Sequence, residues 1–159
     1  MRVYIEPRFE GQDQGEGGIR PASLEFLRGL RAIADEAGLL LIFDEVQCGM
    51  GRTGRFLAHE WAGIDPDIAA IAKALGGGFP VSACLARERV GLAMTVGSHG
   101  TTFGGNPLAM AVANAVLDVI LADGFLRNVE RMGRYLRDGL ERLAKAHGAI
   151  VEEVRGLGL

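Results

Sequence analysis

Residues able to do chemistry cluster around the middle of this 159-residue chain: the acids Asp44 and Glu45, the amide Gln47 and the amine Lys73. Asp44 and Glu45 close a short apolar run, Leu39–Leu40–Leu41–Ile42–Phe43, and Lys73 closes a second, from Asp67 to Ala72. A run this short, followed by the glycines of Gly49–Met50–Gly51–Arg52–Thr53–Gly54, predicts a buried strand rather than a helix. A strand buried on both faces belongs inside a parallel sheet, and ligands gather where such strands end. A carboxylate and an amine can therefore meet at one sheet edge. Two chemistries use paired residues of this kind. An ATPase holds magnesium with such carboxylates, but it also needs a G-x-x-x-x-G-K-[ST] phosphate cradle. Here Gly76–Gly77–Gly78 runs into Phe79–Pro80, and no Gly-Lys-Ser/Thr occurs. A pyridoxal phosphate enzyme instead holds its cofactor on a lysine and faces the pyridine nitrogen with a carboxylate. Asp44, Gln47 and Lys73 supply those parts. On residue types alone, a turn-capping Asp44 and a solvated Lys73 remain the simpler reading.

The surrounding elements must hold these groups in place. Val3–Tyr4–Ile5 reads as a strand, followed by a polar, glycine-rich loop. Pro21 to Ala37 predicts a helix, with proline in its first turn, Leu24, Leu27, Leu30, Ile33, Ala34 and Ala37 at helical spacing, and Gly38 as the stop. Strand, helix and strand make a βαβ unit, the unit of a parallel sheet. Phe56 to Trp61 reads as a short helix, and Asp67 as a turn residue. Val81 to Ala86 predicts a further strand, and Arg87–Glu88–Arg89 a solvated start to a short helix. Asn106–Pro107 is a good cap and first residue for a helix that is apolar all round and so buried. After Asp123–Gly124, Leu126, Val129, Met132, Leu136, Leu140 and Leu143 form the stripe of another helix. Ala149 to Val154 reads as a strand.

Composition narrows the class of function. With 48% hydrophobic residues the chain is globular, and a net charge of −3 provides no broad field for nucleic acid or an anionic membrane. The arginines of the last helix are interrupted by Glu130, Asp138 and Glu141, which describes a solvated face. Met1–Arg2–Val3 leads straight into a strand rather than a signal peptide, and Leu108 to Ala122 is too short to span a bilayer, so a cytoplasmic location is expected. Cys48 and Cys84 lie in or beside apolar segments and read as buried small side chains. His59 has no second histidine at metal spacing, so no metal site is expected. Arg52 reads as an internal ion pair in preference to a phosphate ligand.

Three blocks, Ile42–Gly54 (IFDEVQCGMGRTG), Ile71–Ala83 (IAKALGGGFPVSA) and His99–Ala111 (HGTTFGGNPLAMA), resemble the signature blocks of the class III aminotransferases. The resemblance runs from about Ile5 to the C-terminus. It implies an α/β fold: part of the large domain of fold type I pyridoxal-phosphate-dependent transferases, a mostly parallel sheet with helices on both faces, plus the start of a small C-terminal α+β domain. Residues 1–105 would belong to the large domain, 106–122 to a connecting helix and 123–159 to the small domain. By the same resemblance Lys73 holds pyridoxal 5′-phosphate covalently, Asp44 faces its ring nitrogen and Gln47 bonds its 3-oxygen. Thr102, with Thr101 beside it, reaches the cofactor phosphate of the neighbouring subunit, so a homodimer is implied. Glu16 faces the substrate. The stretch Arg8–Asp13 departs from the family's pattern, which separates Glu6 from the position it would otherwise hold. The implied partners are an amino donor and 2-oxoglutarate. The family's main phosphate loop, its ring-stacking aromatic and its substrate-carboxylate arginine have no counterpart here, so the chain is expected to be a fragment. A non-catalytic remnant is the rival of a different class.

Overall fold

The computed structural model describes residues 2–5, as backbone, and residues 21–159. Four strands form one mixed sheet in the order β1 (Arg2–Ile5), β2 (Leu40–Asp44), β3 (Ile68–Ile71) and β4 (Ala83–Ala86). β1, β2 and β3 run parallel, with Ile5 opposite Phe43 and Asp44 opposite Ala70. β4 is antiparallel to β3, pairing Ala69 with Leu85. Leu41, Phe43, Ala69 and Ile71 are buried and alternate onto one side of the sheet, as the period of two requires. Leu40, Ile42, Ile68 and Ala70 on the other side are only half-buried. The double-sided burial expected of the central strand is therefore met on one side among the described residues.

Helix α1 spans Leu24–Glu36 and starts later than its proline suggests. Ser23 is the cap, its hydroxyl accepting from Phe26 N at 3.1 Å, a free N–H that has no partner within the helix. Leu27 and Ala34 pack on Leu41 and Phe43, whereas Ile33 faces outward at 59% exposure. The third buried residue of that stripe is Arg31. The predicted helix at Phe56 is a 3₁₀ turn over Ala58–Ala62.

A second buried cluster joins Met50, Ile71 and Leu75 to Ala113 and Ile120 of helix α3 (Pro107–Ile120). Asn106 caps α3 as expected, its Oδ1 accepting from Ala109 N at 2.9 Å. The helix is not buried all round: Leu108 is 62% and Val119 58% exposed, so its apolar sequence covers a buried and an open side alike. Helix α2 is a single turn, Glu88–Gly91, and α4 spans Phe125–Ala146. Only Val129 of α4 is buried. No strand forms at Ala149–Val154, which is turn and irregular chain, since no strand among the described residues lies alongside to pair with it. The tail instead folds back between α4 and the Gly51–Gly54 turn. Leu159 N donates to Arg52 O at 3.1 Å, and Arg137 donates to Gly156 O. Gly158 (φ +75°) sits so close to Arg52 and Thr53 that a Cβ there would overlap their backbone. No single helix among the described residues is long and apolar enough to cross a membrane.

Candidate active site

Asp44 and Lys73 emerge at the same edge of the sheet because β2 and β3 are parallel neighbours. Asp44 is the last residue of β2, and Lys73 follows the end of β3 by two residues. The Asp44 Oδ1 accepts from Val46 N at 2.9 Å, so the side chain folds over the first turn after the strand. That turn carries Gln47, whose Oε1 accepts a hydrogen bond from Lys73 Nζ. The carboxamide and the amine, 26 residues apart in sequence, are thus brought together.

Lys73 has the left-handed backbone conformation, φ +42°, which L-residues adopt at a cost of about 1–3 kcal/mol. It opens the 3₁₀ turn Lys73–Gly76, and Leu75 of that turn is locked into the core against α3. Packing on both sides of the lysine holds the unfavourable torsion. Gly77 and Gly78 follow at φ +55° and +114°, the sharp turn expected of the glycine run.

The adjacent acid has the opposite environment. Glu45 is fully buried, and its carboxylate is held at Ala58 and His59. Oε2 accepts from Ala58 N at 2.6 Å and Oε1 from His59 N at 2.9 Å, and His59 Nδ1 lies 2.8 Å from Oε1. Alternation along the strand separates the two acids: one serves the open edge, the other the interior. His59 is buried with it, as a packed residue. Burial raises the Cys48 thiol well above the ordinary thiol range, and the neighbouring Glu45 adds to the shift.

Asp67 is not a simple turn residue. It is 1% exposed, accepts from Leu41 N at 2.8 Å and from Arg31 at 2.9 Å, and pairs with Arg89. Burial favours its neutral form, but the Leu41 N–H and the two guanidinium groups outweigh that and hold the carboxyl below its ordinary range. Arg89, expected in solvent, is thus half of an ion pair. A sequence signal existed: Arg31 lies on the Leu27–Ala34 stripe, and an arginine on a buried stripe needs a buried acid.

Thr101 and Thr102 are exposed on the loop before α3. Thr101 Oγ1 accepts from Gly104 N at 3.2 Å, and among the described residues neither hydroxyl bonds to Asp44, Gln47 or Lys73. Arg52 is exposed and pairs with no carboxylate among the described residues. Cys84 is exposed on β4, correcting its predicted burial, because that edge strand is left uncovered on both faces from Cys84 to Ala86. Glu6 and Glu16 lie outside the described residues.

The chain matches the class III aminotransferase family over residues 8–159 and belongs to it. It is 60% identical over 157 residues to an acetylornithine aminotransferase of Mesorhizobium japonicum, covering 99% of this chain and 38% of that protein. Among solved structures it superposes on N-acetylornithine aminotransferase from Stenotrophomonas maltophilia with a TM-score of 0.83 at 42% identity, over 99% of this chain and 39% of that one. An ornithine aminotransferase from Plasmodium yoelii gives 0.86 at 38% identity, over 98% of this chain and 41% of the other. The chain spans about 40% of the length of the curated relatives it matches.

Proposed function

We propose that this chain is the lysine-bearing portion of a cytoplasmic, homodimeric aminotransferase that moves an amino group from N-acetylornithine to 2-oxoglutarate. The observation that carries the reading is the emergence of Asp44 and Lys73 from neighbouring parallel strands, with Gln47 already on the lysine. The donor set fits pyridoxal phosphate: an amine to hold it, an acid for its ring nitrogen and an amide for its ring oxygen. Pyridoxal phosphate supplies an electron-accepting ring once bound. Lys73 would hold the cofactor and afterwards carry a proton on Nζ. Asp44 would keep the ring nitrogen charged. At ~4 Å and an effective dielectric of about 20, its attraction is worth roughly 4 kcal/mol. At about 1.4 kcal/mol per unit, that is some three pKa units on the nitrogen. Gln47 orients the amine, Thr101 and Thr102 would reach the phosphate in the partner's site, and Glu16 would face the substrate. Residues 1–105 would form part of the cofactor domain, 106–122 the connecting helix and 123–159 the start of the small domain.

Within the family, the likeness to the Plasmodium yoelii protein favours ornithine as the competing donor. Both readings are tested by completing the chain with the flanking segments of the Mesorhizobium japonicum relative and, separately, with those of the Plasmodium yoelii protein, since only a donor preference that persists with both belongs to this chain. Each chimera is expected to trap pyridoxal phosphate on Lys73 with borohydride and to prefer N-acetylornithine over ornithine and 4-aminobutyrate. Lys73→Ala should abolish both trapping and turnover. Covalent trapping that survives Lys73→Ala would overturn the assignment. A chimera that takes no cofactor would favour a non-catalytic remnant.

A further inference from the structure

Glu45 lies next to Asp44 but takes no part in the roles proposed above, and its burial is complete. Both of its oxygens accept backbone N–H donors, and His59 Nδ1 lies 2.8 Å from Oε1. The same residue binds the start of the loop as well as its end. Gly49 N donates to Glu45 O at 3.0 Å, and a Cβ on Gly49 would stand 2.8 Å from that oxygen and 3.2 Å from Oε2. Cys48 Sγ lies 3.8 Å from Oε2. The chain leaves β2 at Glu45, runs through the Gly49–Gly54 turn and returns to Glu45 at Ala58. The first four residues of that excursion include Val46, which holds Asp44 Oδ1, and Gln47, which holds Lys73.

We propose that Glu45, seated by His59, is the positioning residue that fixes Asp44 and Gln47 on the lysine side of the sheet edge. It closes the loop from behind, so that the turn carrying Gln47 and the Val46 N–H cannot swing away. The proposal rests on the aminotransferase reading for its consequence in catalysis, and on geometry alone for its consequence in the loop.

Either chimera described above separates the two. Glu45→Gln keeps the size of the side chain but places an NH₂ against one of its N–H donors. Each lost charge-assisted hydrogen bond corresponds to about tenfold or more. We expect Glu45→Gln to retain borohydride trapping at Lys73, to lower kcat by about tenfold or more with KM for the amino donor within about twofold, and to change the circular dichroism of the cofactor's visible band, which reports ring orientation. His59→Gln, which leaves both backbone donors on Glu45, should shift the same band in the same direction by less. Hydrogen exchange at Val46–Gly49 should quicken in both variants, with or without cofactor. A parent that fails to load cofactor defeats the functional reading, while exchange at Val46–Gly49 still decides the loop. Parent-like dichroism together with parent-like exchange in Glu45→Gln would overturn the proposal. If Glu45→Gln does not fold, the His59→Gln spectrum and exchange decide it by the same criteria.

Discussion

Replacing Asp67 by Asn should destabilise this chain more than any single change at the sheet edge. Asp67 ties β2, through Leu41 N, to α1, through Arg31, and to α2, through Arg89. Asparagine keeps one oxygen but turns an NH₂ toward a guanidinium, leaving Arg31 only the exposed carboxylate of Asp35 as a charge partner. The Arg31 side chain is only 11% exposed, and its Nε already has no hydrogen-bond partner among the described residues. Breaking one partner of a buried pair costs about 3–5 kcal/mol. For a chain of this length that lowers Tm by roughly 6–20 °C. Arg89 is 61% exposed, so Arg89→Ala should cost less than about 1 kcal/mol. Because the folded carboxyl titrates below its ordinary range, its contribution is fully present above the unfolded value of about 3.9 and is lost as pH falls below it. Urea unfolding at pH 7 and pH 3, on parent and variant, measures both effects. An Asp67→Asn loss under about 1 kcal/mol at pH 7, or one undiminished at pH 3, would refute the argument.

In the completed chimera, Asp44→Ala should leave cofactor trapping at Lys73 intact yet slow the single half-reaction about a thousandfold, the rate equivalent of some 4 kcal/mol; stopped-flow rates within tenfold of the parent would count against the role. Without flanking segments the 159 residues should show no turnover of N-acetylornithine with 2-oxoglutarate, because Thr101 and Thr102 are the phosphate contacts assigned here and each charge-assisted bond supplies only ~1.5–3 kcal/mol. Gly158→Ala should release the tail from Arg52, detectable as faster exchange at Leu159 and earlier proteolysis after α4, and a tail that stays protected would show that its backbone can yield. A thiol reagent at pH 8 should label Cys84 quickly and Cys48 only after unfolding, since burial keeps Cys48 protonated; two fast thiols in the native chain would contradict that.

The elements that frame the site were legible because short-range rules decide them. The apolar runs ending at Phe43 and Ala72 became β2 and β3, Asn106–Pro107 opened α3, and Gly38 stopped α1. Pro21 misled because a serine two residues on offered the N-cap oxygen that proline lacks. The failures lie where a partner far along the chain decides. Asp67 looked like a turn acid until Arg31, 36 residues away, reached it. His59 showed no function in its own neighbourhood because its partner is 14 residues upstream. Ala149–Val154 has strand-forming residues at its ends, but a strand needs a neighbour as much as a sequence. The meeting of Gln47 with Lys73 had no signal in the sequence, since no spacing rule connects two loops that follow different strands.

The placement of the acids by strand alternation makes the site unusually sensitive to chain length. Each residue advances a strand by about 3.3 Å and reverses its side chain. Deleting one residue between Leu40 and Phe43 would therefore put Glu45 at the open edge and Val46 against Ala58 and His59, whereas inserting one would put Asp44 against them and Phe43 at the edge. Net charge and composition would barely change, and the apolar run would still read as a strand. Glutamate at the edge is one methylene longer than aspartate, and in either case the loop would lose the carboxylate cut to its length. A point substitution at this edge weakens one contact, whereas a shift of a single position displaces both acids at once. Drift in this segment must therefore proceed by replacement, with the residue count between Gly38 and Gly49 held fixed.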